Sequence, residues 1–253
     1  MATLLHIDSS PLYNRSVSRQ LSAAFVDRWK SLHPGATIIG RDLNATSIPP
    51  LSAEWVGAAY TPEAARNTEQ KKLLALSDTL IAELQRADEY VIGVPMHNFG
   101  VPSVLKLWID QISRVGKTFS YETGTPKGLL AGKRATFLIA TGGNYDPQTQ
   151  MASFNFVEPY LRSVFGFLGV TDATFLTAGG TAALNYGQDR NAFLAPHLES
   201  VQAHAQRNKA ACFQDYALRG DWSRKLRRGA AAFGFKGAGV DSSLRVLTRL
   251  IFS

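Results

Sequence analysis

Apolar and polar positions follow two different periods along this chain, and the switches between them mark its elements. Residues Thr3–Asp8 form a short apolar run ended by Ser9, Ser10 and Pro11, and predict a buried strand. After a polar loop to Arg15, Val17, Leu21, Phe25 and Trp29 recur every four residues. That stripe predicts an amphipathic helix starting near Ser16, with Ser16 or Ser18 able to cap its first turn. Pro34 and Gly35 close the helix, and residues 36–43 read as a second strand. Residues 44–66 are irregular, with Pro49, Pro50 and Pro62, and hold a short helix around Trp55. A longer helix is expected over 68–86, with Leu73, Leu76, Leu80 and Leu84 on one side. Residues 90–94 are nearly all apolar, as in a parallel strand covered on both faces. Pro102 opens the next helix, whose apolar face is Leu105, Trp108, Ile109 and Ile112. A loop or hairpin over 119–132, a strand over 135–140, a helix over 156–168, a strand over 171–177 and a helix over 189–209 complete the series.

Strands and helices alternate throughout, which implies an α/β sheet of five parallel strands with helices on both faces. The chain has 253 residues, and its 45% hydrophobic content suits a globular core. No apolar run reaches the roughly 18 residues that span a bilayer. The first ten residues lack the cationic and apolar regions of a secretory signal. The one cysteine, Cys212, has no internal partner for a disulfide. A cytoplasmic setting is therefore expected. The net charge of +7 raises the question of nucleic acid, but its distribution answers it. Residues 209–253 carry nine Lys and Arg against three Asp and Glu, and the other 18 basic and 17 acidic residues leave 1–208 at +1. So neutral a body has no extended field to hold a phosphate backbone, and no nucleic-acid partner is expected.

In an open parallel sheet, ligands bind beyond the carboxyl ends of the strands. Three strand ends here lead into unusual loops. The first holds Ser9, Ser10, Ser16, Val17 and Ser18. A helix N-terminus offers free amides and a partial positive charge, and hydroxyls beside it add bonds to an anion. The same serines would also serve if they did no more than cap the helix. The chain lacks the Gly-x-Gly-x-x-Gly of a dinucleotide fold and the Gly-x-x-x-x-Gly-Lys of a P-loop, which favours a monophosphate such as that of FMN over a pyrophosphate. The second loop runs from Pro95 through Met96, His97, Asn98, Phe99 and Gly100 to Pro102. Met96 and Phe99 can wall a flat ring, while Asn98 and the loop amides can address its polar edge. Read plainly, it is a turn in which Met96 and Phe99 close the core. The third loop, with Ala140, Thr141, Gly142, Gly143 and Asn144, lets the backbone come close to a planar ligand, although paired glycines after a strand also make an ordinary turn.

Taken together, these loops resemble the FMN-dependent NADH:quinone/azo oxidoreductases, the bacterial azoreductase family. The resemblance rests on Ser10 with Ser16, Val17 and Ser18, on residues 95–99, and on Thr141, Gly142 and Gly143. The stretches 76–84, 118–121 and 159–169 are also similar, and the likeness covers roughly residues 1–208. It implies a flavodoxin-like three-layer sandwich with strand order 2-1-3-4-5. It further implies a homodimer with one FMN per subunit, and ping-pong transfer of two electrons from NADH to a quinone or azo acceptor. By the same resemblance, Ser10 and Ser16 to Ser18 hold the phosphate and ribityl end. Met96, His97, Asn98 and Phe99, with Ala140, Thr141, Gly142 and Gly143, contact the ring. Phe99, Tyr121 and Phe167 are stacking surfaces for nicotinamide or acceptor. No side chain is assigned as an obligatory acid or base, because the flavin carries the chemistry.

Two positions depart from the pattern. Family members often have Tyr where His97 stands, and often Ser where this chain has Ala140. The expected part of His97 is its backbone amide, with the ring toward solvent. Losing the serine hydroxyl removes one hydrogen bond, worth about 0.5–1.5 kcal/mol net. His6, His33, His197 and His204 show no metal-ligand spacing, and no metal is expected. The division expected is an FMN-binding domain over 1–208 and a basic extension over 209–253. The extension ends in an amphipathic stretch at 243–252, which is read either as a solvated tail or as a contact with an anionic membrane surface. The competing reading of the whole chain is a non-catalytic flavodoxin-type electron carrier.

Overall fold

The computed structural model describes residues 2–122 and 124–218, with side chains to residue 207. The amphipathic stretch expected at 243–252 lies outside them. The chain divides into two units, Met1–Gln206 and Arg207–Ser253. The strands are β1 (Thr3–Asp8), β2 (Thr37–Asp42), β3 (Glu89–Pro95), β4 (Phe119–Ser120), β5 (Lys127–Gly128), β6 (Arg134–Ala140) and β7 (Asp172–Ala178). The α-helices are α1 (Val17–Leu32), α2 (Ala53–Tyr60), α3 (Thr68–Arg86), α4 (Ser103–Ile112), α5 (Val157–Phe167) and α6 (Arg190–Leu218). Five parallel strands form one sheet in the order β2-β1-β3-β6-β7, which is 2-1-3-4-5 when only these strands are counted. Strands β4 and β5 form a separate antiparallel pair.

Period-two alternation sends successive side chains of each central strand to opposite faces. Leu4, Val91 and Leu138 pack with Leu21, Phe25 and Trp29 of α1 and with Phe193, Leu194 and Val201 of α6. Leu5, Ile7, Tyr90, Ile92 and Phe137 pack on the other face with Leu80 and Leu84 of α3, Leu105 and Trp108 of α4, and Leu161 and Phe165 of α5. Both faces of the sheet are thus covered, which is why its central strands read as continuous apolar runs. Among the described residues, no helix is long and apolar enough to cross a membrane.

Three expectations need adjusting. The buried side of α3 is Leu74, Ser77, Leu80, Ile81 and Leu84, while Leu73 is exposed. The core face is turned away from Leu73 because polar Ser77 belongs to it, and its hydroxyl donates to the Gln111 carbonyl at 2.5 Å. Pro102 stands at the N-cap of α4 rather than inside its first turn. Helix α6 continues to Leu218 instead of ending near 209, and the first glycine after its start is Gly220.

The β4–β5 pair is locked to the end of α5 by two glycines. A Cβ on Gly128 would lie 2.1 Å from the Gly169 nitrogen and 2.2 Å from the Leu168 carbonyl carbon. Gly169 itself has φ +99°, and the Leu130 amide donates to the Leu168 carbonyl at 2.9 Å. Gly128→Ala is therefore expected to cost at least about 3 kcal/mol in urea unfolding, at the upper end of overpacking. Gly57→Ala in α2, where a Cβ meets nothing within 4 Å, is expected to stabilise by about 0.5–1 kcal/mol. A neutral Gly128→Ala would refute this packing.

Candidate functional site

Strands β1, β3 and β6 are neighbours in the sheet and parallel, so their carboxyl ends share one rim. Register pairs Asp8 with Gly93 and Pro95 with Ala140. The loops that carry Ser10 and Ser16, Met96 to Phe99, and Thr141 to Gly143 therefore leave the sheet side by side. The three turns singled out by the sequence come together.

The first loop is pinned to β3 by Ser9, whose amide and hydroxyl both donate to the Gly93 carbonyl, at 3.3 and 2.7 Å. Ser16 caps α1 by accepting from the Arg19 amide at 3.2 Å, and its Oγ lies 3.1 Å from that of Ser18. Ser10, Ser16 and Ser18 are 1%, 2% and 0% exposed, so these hydroxyls form a desolvated donor set. The amides of Val17 and Ser18 fall in the first turn, where no carbonyl lies one turn earlier to accept from them. Amides and hydroxyls at a helix N-terminus suit an anion. Gly93 makes the close packing possible, since a Cβ there would lie 2.7 Å from Asp8 Oδ1 and 3.2 Å from the Ser18 carbonyl.

Arg19, which sequence reasoning missed, ties this loop to two strand ends. Its Nε donates to the Ser10 carbonyl at 2.8 Å. Its Nη1 and Nη2 donate to the two oxygens of Asp42, at 2.9 and 2.7 Å. Nη1 also lies 3.6 Å from Asp8 Oδ2, and the guanidinium sits 4.8 Å over the Tyr13 ring. Burial works against the Arg19 charge, but the hydrogen bond to Asp42 and the nearby carboxylates hold its pKa above the ordinary value. Burial likewise pushes the Asp42 carboxyl up, and the bonds from Arg19 and the Asn44 and Ala45 amides outweigh it, leaving its pKa lowered. The pair therefore stays charged at neutral pH. The only local sign in the sequence was an arginine directly after the serine pair.

In the second loop, His97 and Gly100 exchange amide-to-carbonyl bonds, both at 3.0 Å, around Asn98 (φ +48°) and Phe99 (φ +70°). This is the mirror-image hairpin turn, in which Asn then Gly is the usual pair. A phenylalanine with positive φ costs of order 1–3 kcal/mol and persists only where its surroundings hold it. Here the Phe99 carbonyl accepts from the Phe156 amide at 3.1 Å, and the ring packs 5.3 Å from Phe154 and 6.3 Å from Tyr145. The turn also corrects one expectation, because the His97 amide is spent on Gly100; its side chain is exposed. The hairpin's own bonds leave the amides of Asn98 and Phe99 aside. The Met96 amide donates to the Ala140 carbonyl at 2.8 Å, and its side chain packs on the core.

In the third loop, buried Thr141 donates from Oγ1 to the Gly143 carbonyl at 2.8 Å. A Cβ on Gly142 would meet nothing within 4 Å, so open space faces it, while one on Gly143 would lie 3.4 Å from the Tyr145 ring. The turn after β7 supports this loop through amides of Gly180, Thr181 and Ala182, which donate to the carbonyls of Gly143, Thr141 and Gly142 at 3.0, 3.0 and 3.1 Å. Neither that turn nor Tyr145 was foreseen; the Gly179-Gly180 pair and an aromatic beside Gly143 were their available signals.

Tyr121 and Phe167 are not at this rim. Helices α4 and α5 run back from it, so residues 113–122 and 124–133 and the end of α5 lie at the amino ends of the strands. There Tyr121 and Phe167 pack on Phe119, at ring distances of 5.6 and 4.8 Å. The seven residues of β6 separate the two rims by about 20 Å at some 3.3 Å per residue. Both rings are exposed. A surface groove of about 530 Å³ runs past Gly100, Val101, Lys106, Phe156, Pro159 and Tyr160, beside α4 and α5.

A family model described as flavodoxin-like fold matches residues 2–205. The FMN-dependent NADH:quinone oxidoreductase of Acidobacterium capsulatum is 55% identical over 206 residues, covering 81% of this chain and all of that protein. FMN-dependent NADH:quinone oxidoreductase 3 of Burkholderia lata is 47% identical over 204 residues, with 80% of this chain and 99% of that protein covered. The structure of a FMN-dependent NADH-azoreductase from Bacillus anthracis in complex with FMN superposes with a TM-score of 0.73 at 28% identity, covering 82% of this chain and 99% of that one. With its five-stranded parallel sheet, its three rim loops and these identities, the chain belongs to the flavodoxin-like family of FMN-dependent NADH:quinone oxidoreductases and azoreductases.

Proposed function

We propose that this protein is an FMN-dependent oxidoreductase that passes two electrons from NADH to quinones or azo compounds. The observation that carries this reading is the shared rim, which sets the amides and hydroxyls at the start of α1 beside the turns at residues 98–99 and 142–143. FMN fits both parts. Ser10, Ser16, Val17 and Ser18 hold its phosphate and ribityl end. Asn98 and Phe99 present unspent amides to the ring edge, and Thr141 to Gly143 come close to its plane because open space faces Gly142. When bound, FMN supplies the acceptance and donation of hydride. The chain binds and orients it, and Tyr145 and Phe154 hold Phe99 in place from behind. His97 stands in the same turn with its side chain exposed and has no assigned proton-transfer role. Donor and acceptor use the same opening in turn, which makes the kinetics ping-pong.

Tyr121 and Phe167 serve as stacking surfaces only if a second copy carries them to the rim of the first, since one chain keeps them at the opposite end. The exposed aromatics Phe156, Tyr121 and Phe167 and the groove beside α4 and α5 support a homodimer that pairs opposite ends. A single cysteine and an NADH-fed reaction suit a cytoplasmic setting. The division into an FMN-binding domain over 1–208 and a basic extension over 209–253 belongs to the same reading, since the family match stops at residue 205.

The purified protein is expected to be yellow and to lose its visible absorbance on addition of NADH alone. Double-reciprocal plots at several quinone concentrations should be parallel. Intersecting lines would reject ping-pong exchange, and a slow NADH reaction would favour the electron carrier. Ser16→Ala with Ser18→Ala is expected to weaken FMN binding roughly a hundredfold or more, from the loss of two hydrogen bonds to a charged group. Sedimentation should give a dimer, and Tyr121→Ala should raise KM for the acceptor without changing FMN affinity. A fully active monomer would exclude the shared pocket.

A further inference from the structure

The geometry points to Arg19 as the residue that positions the phosphate end of the cofactor site and gives that site its preference for a phosphorylated flavin. This rests on the FMN reading above. Arg19 does not belong to the proposed contact set; it acts from behind. Its side chain is 13% exposed and uses three N–H groups in fixed directions. Nε holds the Ser10 carbonyl, and the two terminal nitrogens hold both oxygens of Asp42 at the end of β2. Its own amide meanwhile donates to Ser16 Oγ. One residue thus fixes the Ser10 peptide, the Ser16 hydroxyl and the start of α1 relative to one another. These are the groups that must converge on one anion.

Charge adds a second role. Asp8 ends β1 and directly precedes Ser9 and Ser10, and Asp42 ends the neighbouring β2. Both carboxylates are partly buried, at 13% and 30% side-chain exposure. Asp8 also accepts from Ser22 at 2.8 Å, and His6 Nε2 lies 3.3 Å from it. Two negative groups behind an anion site would repel a phosphate dianion, and the guanidinium between them offsets that field. A lysine in this place would supply the charge but not the planar fork that bridges Ser10 and Asp42.

Removing Arg19 should therefore weaken a ligand according to its phosphate. The test is fluorescence titration of apoprotein with FMN and with riboflavin, which has the same ring and no phosphate. Arg19→Met is expected to raise the Kd for FMN by roughly tenfold to a hundredfold, as when a hydrogen-bonded charged partner is lost. The Kd for riboflavin should stay within about threefold. Adding Asp42→Asn to Arg19→Met removes one of the exposed negative charges and should recover part of the FMN affinity. Arg19→Lys, the variant that decides the matter if Arg19→Met does not fold, should fall between wild type and Arg19→Met for FMN and match wild type for riboflavin. At saturating FMN, kcat should be unchanged in each variant that folds. Equal weakening of FMN and riboflavin, or unchanged FMN binding, would overturn the assignment. Wild-type protein that bound neither flavin would instead overturn the FMN reading itself.

Discussion

Parallel strands that share a sheet must also share a rim, and everything distinctive about this molecule depends on that constraint. Strands β1, β3 and β6 are neighbours, so the loops that follow them cannot avoid one another. A parallel crossover also brings a helix back from that rim, and the N-terminus of the helix stays there with amides that its own turns cannot satisfy. The anion end of the proposed site follows from how α1 must leave β1. The nearness of the second and third loops is a consequence of β3 and β6 lying side by side. What the particular residues add is closeness: glycine at 93 lets α1 press on β3, and the Gly142-Gly143 turn leaves space beside the rim.

The loops are held in costly conformations by neighbours that lie far away in sequence. Phe99 occupies a backbone region that suits glycine, and Phe154, Tyr145 and the Phe156 amide keep it there. The turn after β7 braces the third loop through three amides. Arg19 braces the first through Ser10 and Asp42. Each brace lies outside the proposed ligand contacts, so the site is organised by supporting residues as much as by the residues that touch its contents.

That division explains what could be read from the sequence. Elements with strong local patterns were legible: the Thr3–Asp8 strand, the Val17, Leu21, Phe25 and Trp29 stripe, and the α4 face of Leu105, Trp108, Ile109 and Ile112 all stand where periodicity put them. The helix cap at Ser16 was legible because capping is local chemistry. Leu73 misled because the buried face of α3 includes a serine, and only the tertiary acceptor at Gln111 makes a buried serine tolerable. The His97 amide misled because its partner depends on the turn type, which the Asn-Phe pair does not advertise. Tyr121 and Phe167 were assigned to the pocket without sight of their place at the other rim, since the distance from one rim to the other is a property of the whole layer. The Arg19 fork joins positions 10, 19 and 42, and no local pattern reports so distant a set.

Determination of the structure with FMN bound tests the central claim most directly. The phosphate should lie against the amides of Val17 and Ser18 with the hydroxyls of Ser10, Ser16 and Ser18 around it. The ring should rest between Asn98 and Phe99 on one side and Gly142 and Gly143 on the other. FMN found elsewhere, for example in the groove beside α4 and α5, would contradict the account.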